Sequence, residues 1–424
     1  MTRTRSTKLI AVLLSLIMML GATSIGLLSF AVGEDETTTA AEENVVLPQE
    51  SLDSIENLNI KNYMHFGDSM STGYMLGATQ AEVDAFAVNI DGDFNMSFPK
   101  GNITTTTHDW SFPYTYGSYP SLIAEAFGLD NSHWYSFARE GLTTNDVHRI
   151  LDPSYYNRMD DQARRNSDQA FDTLFGSAAQ GRQELANMQA LAQQMLPKAD
   201  LITIGMGPND IIFSPLFDVL FVLKAAAAGN TLYGQLVGNA LRTVTASISD
   251  FNVAAAYSTV IGVAEVIGAL PEVMSALMLS IVRGYMAVQQ NWEGVVNYIR
   301  QYNQHAAIVC VGGYNATKDL QFSDIDMVRI GKGMGIFTTI MNLYWANTCP
   351  LRDQYYFVDI RNVDLPPWPT MVEWPGKIAA GQFFGYFMSC SHPSYKGHQQ
   401  IADAILDALF QEEGTNTLPV SSLI

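Results

Sequence analysis

Cysteine is scarce in this 424-residue chain: Cys310, Cys349 and Cys390 are too few to build a disulfide scaffold. Cations are scarce too. Lys and Arg number 23 against 42 Asp and Glu, and a net charge of -19 excludes the basic surface that nucleic acid selects. Neither a P-loop nor a dinucleotide-binding glycine fingerprint occurs, and the seven histidines form no cluster with metal-ligand spacing. The sequence therefore calls for no cofactor and no metal. "NIDGDFN", residues 89–95, is too short for a calcium loop of the EF-hand type and reads as a turn.

Apolar residues are plentiful, at 48% of the chain, which is ample for a large core. Residues 1–33 run from a basic head through a long apolar stretch to small residues, the layout of a secretory signal. Ala31-Val32-Gly33 offers a cleavage site, but Leu9 to Val32 is also long enough to stay in a bilayer. Secretion and attachment to a membrane or cell surface are the two outcomes left open. An acidic, Thr-rich linker follows at 34–58, then a folded domain over 59–415 and a tail at 416–424.

Within the domain, short apolar runs recur at wide spacing: "NYMHFGDS", "HWYSFAREG", "ADLITIGMGPND", "AAIVCVGGYNAT" and "YYFVDIRN". Segments with apolar residues every three or four positions separate them, among them "SYPSLIAEAFG" and "HPSYKGHQQIADAILDALF". Strands alternating with helices predict an α/β fold of three layers, with a mainly parallel sheet covered on both faces. Residues 211–290 form a hydrophobic insertion longer than a crossover requires, either extra core helices or a cap over an apolar pocket. Its interrupting charges argue against a membrane span. Cys310 falls in a strand pattern, whereas Cys349 and Cys390 lie in loop-like surroundings, so one bridge between them and three unpaired thiols are both open.

Loops at the carboxyl ends of such strands are where a site belongs. Ser69, in "HFGDSMSTGY", stands on a strand-to-helix turn suited to exposing a nucleophilic hydroxyl, although Gly, Asp and Ser also make ordinary turns. Gly141, in "FAREGLTTND", allows close approach to a backbone N–H, and Asn209, in "GPND", carries an amide able to donate to an oxyanion. A turn glycine and a helix cap are the plain alternatives. His392, set before Pro393, is the candidate base; His398, six residues on, is expected to be solvated. Trp110, Tyr114, Tyr116, Trp368 and Trp374 form either a sugar platform or partly buried core.

"GDSMSTG", "AREGLTTND", "GPND" and "SHPSYKGH" together resemble, in order, the four blocks of the SGNH hydrolases, the GDSL esterases and lipases. The resemblance spans about residues 60 to 410. It implies a flavodoxin-like α/β/α sandwich acting without a metal on a small or polymer-borne ester, with Ser69 as nucleophile and His392 as base. It further implies that Gly141 and Asn209 join the Ser69 N–H as oxyanion donors. Met70 replaces the family's usual leucine at little cost in volume. The family's aspartate three residues before the histidine is here Ser389, so His392 must be oriented by a backbone carbonyl, the expected arrangement, or by a distant carboxylate such as Asp359, or catalysis is weak. Two rival readings remain: a non-catalytic binder of glycan or lipid on the same fold, and a carbohydrate acetylesterase.

Overall fold

A computed structural model describes residues 59–410 apart from 86–88, 91–95, 98–104, 108–112, 208, 214–270, 317, 320–326, 371, 380–381, 383–385 and 387–388. The leader, most of the linker, the C-terminal tail, Trp110 and most of the insertion lie outside the described residues. All five apolar runs are strands: β1 (Tyr63–Gly67), β2 (Trp134–Ser136), β3 (Leu201–Gly205), β4 (Ala307–Val311) and β5 (Tyr355–Val358). They pair in parallel in the order β2-β1-β3-β4-β5, the flavodoxin-like order. Central strands β1 and β3 are buried at every position, which is why their sequences read as continuous apolar runs and not as alternation.

One face of the sheet carries α2 (Tyr119–Ala126) and α8 (Tyr395–Phe410). Tyr63, Leu201, Val309 and Val311 point into that layer and share a cluster with Tyr119, Ile123, Ile401 and Ile405. The opposite side gathers α3 (Thr144–Leu151), α4 (Asp161–Phe175), α5 (Ala178–Met195) and the long α6 (Pro271–Tyr302), with α6 against α3 and α3 against α5. Trp292 of α6 donates its indole N–H to Tyr355 Oη on β5 and so ties this layer to the sheet edge. α7 (Met327–Thr348) precedes a 3-10 turn, Cys349–Leu351, that leads towards β5. The architecture is the three-layer α/β/α sandwich that the strand pattern predicts. No helix among the described residues is long and apolar enough to cross a membrane.

One expectation changes, and two pairs of alternatives resolve. His398 is buried, not solvated: the ring packs on Tyr119 at 6.1 Å between centroids, and Nδ1 accepts the Tyr119 N–H at 3.2 Å. Position 398 belongs to the inward stripe of α8 with Ile401, Ala402 and Ile405, so helical phase turns it into the core. All three cysteines are free thiols, and Cys349 adjoins Cys310 instead of pairing with Cys390. The turn that holds Cys349 packs beside β5, next to β4, whereas Cys390 Sγ donates to the Pro367 carbonyl at 3.3 Å. Of the aromatics, Trp368 and Trp374 are buried against each other and Trp374 meets Tyr386 edge-on, which makes them core; Tyr116 is exposed.

A polar seam runs through this core. Thr203 Oγ1 bonds both Tyr63 Oη and His65 Nδ1 at 2.7 Å, and Tyr119 Oη bonds Ser71 Oγ at 2.9 Å. Burial holds His65 and His398 down to about 3, with the neighbouring His392 adding to the effect on His398. Both rings are neutral in the folded protein, but the unfolded chain protonates them below about 6.5. Their stabilising contribution is complete above pH 6.5 and is lost as pH falls towards 3. Asp68 and Asp210, pushed up to about 7 by burial, act with the opposite sign between 3.8 and 7, so a single-site difference is the clean measure. In urea unfolding, His398→Gln is expected to gain about 1 kcal/mol on the wild type per pH unit below 6.5. Parallel profiles for the two proteins would contradict a neutral, buried His398.

Candidate active site

β1 ends on Gly67, and the chain turns at once into the single helical turn α1 (Ser69–Thr72). Gly67 is required there because a Cβ would collide with the Ser71 side chain. Asp68 is the N-cap: its backbone is extended and Oδ1 accepts the Met70 N–H at 3.0 Å. Gly73 closes the turn in the left-handed conformation, φ 70°. Ser69 is thereby set, partly exposed, at the carboxyl edge of the sheet, beside the β1/β3 position where the strand order reverses.

The fourth block comes back to meet it. His392 Nε2 lies 2.8 Å from Ser69 Oγ. Its loop is anchored at both ends: Tyr314 Oη, beyond β4, donates to the Ser391 carbonyl at 2.7 Å, and Ser394 N–H donates to the Asp364 carbonyl at 3.1 Å. Tyr74 packs against the imidazole at 5.5 Å between centroids, tilted by 59°. Ser391 Oγ stands 3.3 Å from Nδ1, so a proton on Nδ1 finds an acceptor there and leaves Nε2 to receive the Ser69 proton. Asp359, considered above as the orienting carboxylate, is instead clasped by Arg361, whose Nε lies 2.8 Å from Oδ2.

Gly141 and Asn209 join the same constellation. The strand that ends at Ser136 continues along β1, with Phe137 N–H on the His65 carbonyl and Arg139 N–H on the Gly67 carbonyl, which brings Gly141 beside the Ser69 turn. Thr72 Oγ1 donates to Ser69 O and to Glu140 Oε1, each at 3.1 Å, and so ties the residue before Gly141 to the nucleophile's own turn. Gly141 has φ 77°, with open space where a Cβ would stand. Asn209 is buried; Nδ2 donates to the Leu142 carbonyl at 2.9 Å and approaches Asp68 Oδ2 at 3.3 Å. Its neighbour Asp210 accepts Thr144 Oγ1 at 2.7 Å and Thr144 N–H at 3.0 Å, so the third block is bolted to the start of α3. All four sequence blocks thus meet at one point.

Sequence reasoning missed the supporting cast: Asp68, Thr72, Tyr74, Tyr314, Ser391 and Asp210. Only Asp68 carried a readable signal, as an Asp immediately before a helical turn. Electrostatically the site is acidic. Burial raises Asp68 and Asp210 to about 7, and for Asp68 the negative charges of Asp210 and Glu140 add to it while the Met70 N–H opposes. Among the described residues, no set of His, Cys, Asp and Glu side chains could hold a metal ion.

A serine hydroxyl and an imidazole in hydrogen-bond contact at the switch point of a parallel α/β/α sheet define the class of molecule. The chain belongs to the GDSL-like lipase/acylhydrolase family, whose model matches residues 63–405, and ester hydrolysis is the chemistry of that family. Among solved structures the chain is similar to an extracellular lipase from Streptomyces rimosus, at 14% identity and TM-score 0.37, covering 82% of this chain and 99% of that one. A phospholipase A1 from Streptomyces albidoflavus shows 14% identity and TM-score 0.35 with the same coverage. A carbohydrate esterase, described as having divergent catalytic and non-catalytic binding functions, shows 14% identity and TM-score 0.31, over 85% of this chain and 71% of that one. No curated protein matches the chain.

Two glycines of the site should respond in opposite ways to the same change. Gly141→Ala meets no atom, so its cost is the left-handed backbone alone, about 1 kcal/mol. Gly284, inside α6, is where alanine should ordinarily stabilise by about 0.5–1 kcal/mol. Here its Cβ would land on the Asp210 carbonyl oxygen, so Gly284→Ala is expected to destabilise more than Gly141→Ala. Urea midpoints of the two variants check the order, and a stabilised Gly284→Ala would refute the close helix–turn contact.

Proposed function

We propose that the protein is a serine esterase that cleaves a carboxylic ester through an acyl-enzyme on Ser69, and that it works outside the cell, released or held at the surface by its N-terminal segment. The observation that carries the reading is the 2.8 Å contact between Ser69 Oγ and His392 Nε2. In this mechanism Oγ attacks the acyl carbon while Nε2 takes its proton. The carbonyl oxygen becomes an oxyanion, met by the Ser69 and Gly141 N–H groups and the Asn209 amide. Collapse of the tetrahedral intermediate expels the alcohol, which leaves with the proton held by His392. Water then attacks the acyl-enzyme by the same route in reverse roles, and the acid is released. Ser391 Oγ supports the tautomer this requires, with the proton on Nδ1. The acidic composition and the leader-like N-terminus support the proposed location. The substrate is a small or polymer-borne ester.

Ser69→Ala and His392→Ala are each expected to lower kcat on p-nitrophenyl acetate by at least about a thousandfold. A fluorophosphonate should label the folded wild type at Ser69 and leave Ser69→Ala unmarked. Full-rate hydrolysis by Ser69→Ala would end the assignment, and a folded wild type that resists labelling would favour a non-catalytic binder.

A further inference from the structure

Asp68 is nearly inaccessible, at 3% exposure, and among the described residues it makes no ion pair. A buried carboxyl without a cation is costly, and a helix cap does not need one: Ser, Thr or Asn caps as well with far less desolvation. What a carboxyl offers beyond a cap is a second acceptor oxygen. Here Oδ1 takes the Met70 N–H at 3.0 Å and Oδ2 faces Asn209 Nδ2 at 3.3 Å. Asn209 donates its other amide proton to the Leu142 carbonyl at 2.9 Å, in the loop that carries Gly141. Two side chains therefore link the three loops that supply the nucleophile and both added oxyanion donors.

We infer that Asp68 is a positioning residue for Asn209, aiming the Asn209 amide at the acyl oxygen through Oδ2 while Oδ1 fixes the turn that presents Ser69. The inference rests on the serine-esterase reading above. Of the two contacts of Nδ2, the one to Leu142 is short and the one to Asp68 is long, so the proton on the Asp68 side is the one an acyl oxygen can share. Asparagine at position 68 separates cap from link. Its oxygen can still accept the Met70 N–H, but its amide then points donors at the donor of Asn209.

The test is a double-mutant cycle on the full chain with p-nitrophenyl acetate, using Asp68→Asn, Asn209→Ala and both together. Asp68→Asn should lower kcat about tenfold to a hundredfold with KM within about twofold, because a misaimed donor costs transition-state and not ground-state binding. Added to Asn209→Ala, it should cost no more than about threefold further, since both changes remove one interaction. Asp68→Ser, which keeps a cap oxygen and removes Oδ2, should repeat the loss if Asp68→Asn folds poorly. Wild-type kcat in folded Asp68→Asn and Asp68→Ser, or a double variant whose loss is the product of the single losses, would overturn the positioning role. Ser69→Ala in the same assay separates the two claims: multiplicative losses with Ser69→Ala inactive sink only the role of Asp68, whereas activity surviving in Ser69→Ala sinks both.

Discussion

A hydrogen bond of 2.8 Å joins Ser69 to His392 across 323 positions of sequence, and the remaining architecture is what makes so distant a contact reproducible. Ser69 is fixed by a strand with no exposed residue. His392 is fixed by α8, whose first turns dock on the same layer through His398 on Tyr119 and Ile401 and Ile405 in the shared core. Tyr119 also reaches Ser71, two residues past the nucleophile, so one aromatic side chain links the nucleophile's turn to the helix that follows the base. The contact is therefore set by packing and does not depend on the loops finding each other unaided. Close packing of this kind leaves few alternative positions for a side chain.

The site is assembled from groups that a core would otherwise exclude. Asp68, Asp210, Asn209 and Thr144 are all buried around the carboxyl ends of β1 and β3. Each has a partner: Asp210 and Thr144 bond one another, Asn209 donates to the Leu142 carbonyl, and Asp68 accepts the Met70 N–H. Networks that are fully bonded in a low dielectric are rigid, and a rigid set of donors is what stabilisation of an oxyanion needs. The raised carboxyls are the visible strain of this design. Stability is given up as pH rises from 3.8 to about 7, while the unfolded chain ionises these carboxyls and the folded one does not, in exchange for donors that do not have to reorganise.

Much of this was legible in the chain itself. β-branched and apolar runs gave all five strands, polar loops at their ends gave Ser69, Gly141 and Asn209, and a histidine set before a helix-starting proline gave His392, which the structure places on Ser69. What escaped did so for physical reasons. Strand order, which depends on long-range pairing that no local pattern encodes, came only through the family resemblance and its flavodoxin-like sheet. His398 was misjudged because a polar residue type outweighed its helical phase, although 398, 401, 402 and 405 lie on one stripe. The cysteines stayed open between one bridge and three free thiols because loop-like surroundings say nothing about which turn folds beside which strand. Asp68 was visible as a cap, but its second oxygen acquires a partner only when β3 is laid beside β1.

α6 adds a last constraint. It takes in the end of the hydrophobic insertion and returns to the turn from which that insertion departs: Gly284 abuts the Asp210 carbonyl, and Asn291 donates to Thr144 Oγ1 at 3.3 Å and to Asn145 Oδ1 at 2.9 Å. Further along, Gly294 seats the His148 ring of α3. A helix that approaches backbone through glycine at one point and bonds side chains a few turns later is held in both register and rotation. Any force on α6 is therefore felt at Asp210, one residue from the proposed oxyanion donor. An insertion at this place in the fold can lengthen without disturbing the sheet, but the helix that closes it must dock on the third block. The glycines of α6 are what that docking demands.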